Sequence, residues 1–212
     1  MSLLIQTNID MKKTMTILAI LITFTGFSQE KISSYSSTYL DGKEFDINAS
    51  KGKKEGDYTY YIDVYSRESY TKSIALSIDF KDIDKFTTSL SMAKDKLSTW
   101  SKTAIDNKVT SLDKTMEHIK FNSPVAFYYG SKWQFDFSVN YLFRAKIIDG
   151  QIYLIIQNKN ELVSSSNQFM DTKGFLLVFS SVEEIDEFVK ALDKQKVIQH
   201  FNVQENTEEL FN

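Results

Sequence analysis

From Trp133 to Ile147 the chain alternates without a break. Trp133, Phe135, Phe137, Val139, Tyr141, Phe143, Ala145 and Ile147 fall on one side, and Gln134, Asp136, Ser138, Asn140, Leu142, Arg144 and Lys146 on the other. A two-residue period of this length marks a β-strand with one buried face, and a one-residue slip would turn the whole apolar set into water. The strand runs into Asp149-Gly150, the positive-φ pair that a two-residue hairpin loop favours. With that pair as the loop, Ile147 faces Ile152, Ala145 faces Leu154 and Phe143 faces Ile156, an apolar pair at each step. An antiparallel sheet follows, and its apolar face needs a cover.

The cover is written twice. IDKFTTSL (83–90) returns 102 residues later as IDEFVKAL (185–192). Each is preceded by a strand-like apolar run, SIALSI (73–78) and FLLVFS (175–180). In the second copy Ser181 and Glu184 have the spacing of a capping box, which satisfies orphan N–H groups at a helix start. In the first, Asp79 is the expected N-cap, with Asp82 in the first turn favoured by the helix dipole. Ile83, Phe86, Leu90, Ala93, Leu97, Trp100 and Ala104 then follow in steps of three and four, one stripe of a long helix. Burying each larger side chain contributes about 1.5–3 kcal/mol, so the stripe is read as packing surface.

Upstream, YLDGKEFDI (39–47) and IIDGQIYLI (147–155) both set Asp-Gly between strands. In the first half a further hairpin, with Ser66 to Tyr70 as its loop, would oppose Ile62, Tyr60 and Tyr58 to Ile74, Leu76 and Ile78. Its counterpart, NELVSSSNQFMDTKG (160–174), is polar and looser. The expected class is therefore α+β: two antiparallel β-sheet-plus-helix repeats, ββββα twice, over 29–110 and 111–200. They pack as one compact unit, each helix closing its own sheet. The polar stretch after Leu192, and 201–212 above all, is expected to fray.

The first 28 residues read differently. MKKTMTILAILITFTGFSQE (11–30) has a basic start at Lys12-Lys13 and an apolar run from Ile17 to Phe24. Gly26 and Ser28 lie before a cut after Ser28. This is the layout of a secretory signal peptide, too short to span a membrane, with Met11 as the expected start of translation. A secreted or periplasmic bacterial protein is implied. The chain has no cysteine, so no disulfide, thiolate ligand or lipid-modified cysteine is available, and the folded body must rely on its core. Removing residues 1–28 takes away Lys12, Lys13 and Asp10, which moves the formal charge from -3 to -4. Net charge therefore draws the mature chain neither to nucleic acid nor to anionic lipid.

The residues carry no visible signature of a catalytic site. The two histidines, His118 and His200, stand in polar surroundings without the ligand cluster of a zinc site. No serine occupies a nucleophile elbow. GKKEG (52–56) lacks the spacing of a phosphate loop, and Lys51, Lys53 and Lys54 read as a solvated turn. An exported hydrolase using paired carboxylates remains open on composition, with Asp63, Asp136 and Glu161 among many acids and no pair favoured. The expectation is no catalytic residue, no metal and no cofactor.

EFDINASKGKKEGDYTYYIDVYSRESYTKSIALSIDFKDIDKFTTSL (44–90) resembles a PUR repeat in its order of elements. These are a strand, a charged turn ending in Gly-Asp-Tyr, two strands and a helix. Such a unit used twice resembles the Whirly and PUR-repeat class, whose members bind single-stranded nucleic acid through basic and aromatic residues on the sheet face. The signal peptide and acidic balance depart from that pattern. The ending GFSQ and the segments YGSKWQFDF, LVSSSNQF and GFLLVFSS look like secreted proteins of Bacteroidetes-type bacteria, which implies a compartment and no chemistry.

Two surfaces stand out. On the outer face of the second hairpin Lys146 faces Tyr153 and Arg144 faces Ile155, with Gln134, Asn140 and Gln157 nearby; such a face can stack a base or sugar or meet an anion. The loop SSSNQ (164–168), with Ser165 and Asn167, is the second. The functional expectation is a non-enzymatic binding or interaction protein, with a protein or carbohydrate partner and a homodimer as the candidates. A single-strand nucleic-acid binder is the alternative.

Overall fold

The structure is a computed structural model and describes residues 29–71 and 73–209. The signal-peptide reading falls on residues outside that range. Twelve strands form in chain order: β1 (Glu30–Ser37), β2 (Lys43–Lys51), β3 (Tyr58–Asp63), β4 (Tyr65–Ser66), β5 (Ile74–Asp79), β6 (Ser111–Thr115), β7 (Asn122–Tyr129), β8 (Lys132–Ile148), β9 (Gln151–Asn158), β10 (Leu162–Ser164), β11 (Asn167–Thr172) and β12 (Phe175–Phe179). Three helices accompany them, α1 (Ile83–Asp106), α2 (Val182–Ala191) and α3 (Lys194–Glu209). The fold is mixed α+β with antiparallel pairing.

Ten strands share one ladder, in the order β1-β2-β3-β5-β7-β8-β9-β12-β4, with β6 joined to β8. Because β4 continues β3 across Val64, the path from β3 through β5, β7, β8, β9 and β12 comes back to the stretch of chain where it began. Strand β8 makes this possible. Its first half pairs with β7 and its second half with β9 and β6, so one long strand serves both parts of the sheet. The alternation that marks it in sequence is thus the backbone of the fold.

The second hairpin has the expected register, with Ile147 opposite Ile152, Ala145 opposite Leu154 and Phe143 opposite Ile156. Asp149 and Gly150 both adopt positive φ, 51° and 85°, which turns the corner in two residues. The first Asp-Gly corner is longer. A 3-10 turn over Thr38–Leu40 precedes Asp41 and Gly42, and β1 and β2 meet at Ser37 opposite Lys43. The β3–β5 pairing also corrects the expected one by two residues. Tyr60 faces Ile78 and Ile62 faces Leu76, while the Val64 N–H already donates to the Ile74 carbonyl. An even shift keeps the same side chains inside, so burial does not choose between the two registers.

Helix α1 buries Ile83, Phe86, Leu90, Ala93, Leu97 and Ala104, the stripe seen in sequence. It starts later than expected, with Asp82 rather than Asp79 at the N-cap. At α2 the Ser181 side chain accepts from the Glu184 N–H at 3.2 Å, and the Glu184 carboxylate accepts from the Ser180 N–H at 2.6 Å. Residues 194–209 do not fray as expected: they form α3, and Val197 and Phe201 are buried, Phe201 stacking on Tyr58 at 5.3 Å.

The helices do not each close their own sheet. Helix α1 packs on β9 and α2, and α2 packs on β1 and β12. Phe188 of α2 lies 4.7 Å from the Tyr35 ring of β1 and 6.3 Å from Phe86 of α1. One apolar cluster runs through both halves. The physical reason is size: a small body buries too little surface to be stable, and helices that bridge the halves let two small bodies share one core. The third strand expected in the second half leaves the main sheet and pairs as the β10–β11 ribbon, so β9 and β12 are direct neighbours.

Candidate functional site

The alternation of β8 predicts that Trp133, Phe135 and Phe137 are buried with Val139 and the rest. They are not. Val139 onward is inside, but Trp133 is 44% and Phe137 64% exposed, Phe135 is half-buried, and Gln134 is 8% exposed. The cause is a β-bulge. Ser123 pairs with Val139 and Val125 with Asp136, so Phe137 and Ser138 share the place opposite Pro124. Pro124 has no N–H to give the ladder, and strand prolines are confined to edges, strand starts and bulges. One extra residue reverses which face each side chain takes. The three aromatic rings are turned outward, and Gln134 turns inward to accept hydrogen bonds from the Ser164 and Ser166 hydroxyls at 2.8 and 3.3 Å.

The outward rings form a strip along one strand. Phe135 and Phe137 lie 5.9 Å apart with planes only 10° from parallel, and Trp133 meets the edge of Tyr128 at 5.6 Å. Small residues run from the strip across the sheet, since Phe135 pairs with Ala126, Ala126 with Ala75, and Ala75 with Asp63. Three strand spacings put Asp63 roughly 14 Å from the strip.

The β10–β11 ribbon is fastened beside it. The Ser165 N–H donates to the Phe135 carbonyl at 2.8 Å, and the Phe137 N–H donates to Ser165 Oγ at 3.2 Å. The Val163 N–H donates to Asp136 Oδ2 at 3.2 Å. Asn167 Oδ1 accepts from the Phe169 N–H at 3.0 Å, and the Phe169 ring stands 82% exposed. The base of the ribbon is held by Glu68, which accepts from the Thr172 hydroxyl and the Lys173 N–H, each at 2.9 Å.

Of the residues singled out in sequence, Ser165 and Asn167 stand at this strip. Arg144, Lys146 and Tyr153 lie on the second half of β8 and on β9, in the pairing expected for them. They do not form an open cationic face. Asp113 of β6 takes Arg144 in a two-point ion pair, Nε to Oδ1 at 3.1 Å and Nη2 to Oδ2 at 2.5 Å, and Tyr153 meets the edge of Tyr39 at 5.3 Å. Gln134, expected beside them, is the buried acceptor already described. Trp133, Phe137 and Phe169 were missed as site residues. The lone proline in a strand-like run was the signal that could have found the first two.

Of the acids named in the sequence analysis, Asp63, Asp136 and Glu161, no two converge, although Asp63 has Asp46 beside it. Asp63 belongs to the same sheet face as Phe135, whereas Asp136, next in the chain to Phe135, faces the other way and is bonded to the Ser138 and Val163 N–H groups. Glu161 is exposed between β9 and β10. Among the described residues no cluster of three or more histidine or acidic side chains is placed to hold a metal ion, and no helix is long and apolar enough to cross a membrane. Burial, and then the Asp46 charge, push the Asp63 carboxyl up to about 6 from 3.8. A carboxyl whose pKa is raised by folding favours the folded state below its unfolded value and loses that contribution as pH rises through the folded one. Stability is therefore expected to fall between about pH 4 and pH 6, and Asp63→Asn to flatten that fall. Because the group is only partly buried, about 1 kcal/mol of gain at pH 7.5 is expected. Urea midpoints of the two proteins at pH 4 and 7.5 check it; equal differences at both pH values would count against it.

Neither a protein-family model nor a curated protein nor a solved structure matches this chain.

Proposed function

We propose that the chain is an exported, non-enzymatic binding protein that receives its ligand at the aromatic end formed by β7, β8 and the β10–β11 ribbon. One observation carries this. Among the described residues ten large apolar side chains are exposed, and five of them, Tyr70, Trp133, Phe137, Val163 and Phe169, belong to this end. Scattered exposed apolar residues need no explanation, but a concentration of them marks an interaction site, and aromatic residues are enriched in such sites. Rings held on a hydrogen-bonded sheet lose little freedom on binding, which favours recognition. The export reading rests on the layout of residues 11–28. The paired Asp-Gly corners and strand-to-helix passages support a duplicated origin for the two halves.

The charge around the strip weighs against the nucleic-acid alternative. Lys132 is the only cation between residues 132 and 138. Binding to a phosphate backbone depends on cations that release its counterions.

Trp133 is a built-in reporter. In a Trp100→Phe variant it is the only tryptophan. Titrating that variant with soluble oligosaccharides, peptides, single-stranded oligonucleotides and unlabelled wild-type chain is expected to shift Trp133 emission for one class. The shift should vanish in the Phe137→Ser/Phe169→Ser background. Silence across all four classes overturns the reading, as does turnover of a glycoside or ester panel.

A further inference from the structure

We infer that the ligand of this strip is a neutral carbohydrate chain, bound by stacking of its sugar rings on Trp133, Phe135 and Phe137. The inference rests on the binding reading above and deepens it. A pyranose ring offers an apolar face of C–H bonds and a rim of hydroxyls. It asks for flat aromatic rings beneath and for hydrogen-bonding groups without net charge at the side. The strip meets the first demand through geometry. Its rings stand at alternate residues of one strand, and Phe135 and Phe137 are stacked with their centroids 5.9 Å apart and their planes within 10° of parallel. Stacking on such rings tolerates many ligands, because it requires only a flat apolar face.

The ribbon meets the second demand. Ser165 Oγ accepts from the Phe137 N–H, which leaves its own proton to donate outward. Asn167 spends its Oδ1 on the Phe169 N–H, which leaves its amide N–H groups. Gln168 between them is exposed. These are the donors that sugar hydroxyls accept from, and Ser165 is bonded to the backbone of both Phe135 and Phe137.

The other occupants fit less well. A polyanion would meet a single cation, Lys132, on this stretch. A folded protein partner needs about 800 Å² from each side, and the strip is one strand wide. An extended, uncharged chain matches its shape and its charge.

The test uses native-gel affinity electrophoresis of the mature chain in soluble neutral polysaccharides (a mixed-linkage β-glucan, a xylan, a mannan), with Trp133 emission read against the matching hexasaccharides. At least one neutral polymer is expected to retard the chain, with affinity little changed between low and high salt. Trp133→Ala and Phe137→Ala should each weaken it by about tenfold or more. Arg144→Gln, on the other half of β8, should leave it unchanged. Both aromatic side chains are exposed, so unaltered thermal unfolding separates lost binding from lost folding. Retardation only by a polyanion, steep salt dependence, or full binding in both aromatic variants would overturn the inference. Were Trp133 to respond to peptides or to a second copy of the chain and to no sugar, the binding surface would stand and the carbohydrate would fall. Were it to respond to nothing, both would fall.

Discussion

Gly174→Ala is expected to destabilise the protein by about 3 kcal/mol or more. Gly174 has φ of +93°, where an L side chain is strained by about 1–2 kcal/mol. A Cβ there would also run into the side chain of Asn158. That amide is only 2% exposed and joins the end of β9 to the start of β12. It donates to the Asn160 and Lys173 carbonyls at 2.6 and 2.9 Å and accepts from the Phe175 N–H at 2.9 Å. Pushing it aside leaves buried polar groups unpaired, at about 1–3 kcal/mol. The damage falls where the ladder returns on itself, since Phe175 pairs with Ser66 of β4 and the Gly174 carbonyl accepts from the Arg67 N–H at 2.9 Å. Urea midpoints of Gly174→Ala, Asn158→Ala and the double variant check this. The double should cost less than the two singles added, because Asn158→Ala removes the obstacle. A Gly174→Ala protein within about 0.5 kcal/mol of wild type would refute the account.

Phe188→Ala should cost about 3–5 kcal/mol, the usual range for removing a buried aromatic ring. Its surroundings give the number more meaning than its burial does. The ring touches Tyr35 at 4.7 Å, Phe179 at 5.2 Å and Phe86 at 6.3 Å, from β1, β12 and α1. Those elements come from both halves of the chain, so the cavity weakens the whole body. Unfolding followed by far-UV circular dichroism and by Trp133 emission in the Trp100→Phe background should move together, as one transition. Two separate transitions, only one of them shifted, would mean the halves are independent units and would contradict the shared core.

Those features legible in sequence are local ones. The Asp149-Gly150 corner set the register of β8 against β9 because a two-residue loop leaves no slack, and every pair along it agrees. The stripe of α1 and the Ser181–Glu184 cap of α2 were likewise readable, since helix periodicity and capping involve residues three or four apart. The β3–β5 register was not, because its longer loop permits two pairings that bury the same side chains. Helix α3 was missed because, among its described side chains, only Val197 and Phe201 are fully inside, on an otherwise polar stretch, and Phe201 depends on Tyr58 far away in the chain.

The candidate site divides in the same way. Ser165 and Asn167 could be chosen because a long polar loop inside an apolar sequence invites attention. The rings of Trp133, Phe135 and Phe137 were visible too, but alternation carried unbroken through a bulge puts them on the wrong face. Arg144 was chosen for its charge, and its neutralising partner Asp113 lies on β6, 31 residues earlier.

By itself, then, the sequence determined the β8–β9 hairpin with its tight corner, the stripe of α1 and the cap of α2, because each depends on neighbours a few residues apart. The tertiary structure alone decided that the helices bridge the two halves, that the ladder closes at Gly174, and that Pro124 turns three aromatic rings toward water. Those outcomes depend on which distant strand lies opposite a given residue, and no local pattern holds that information.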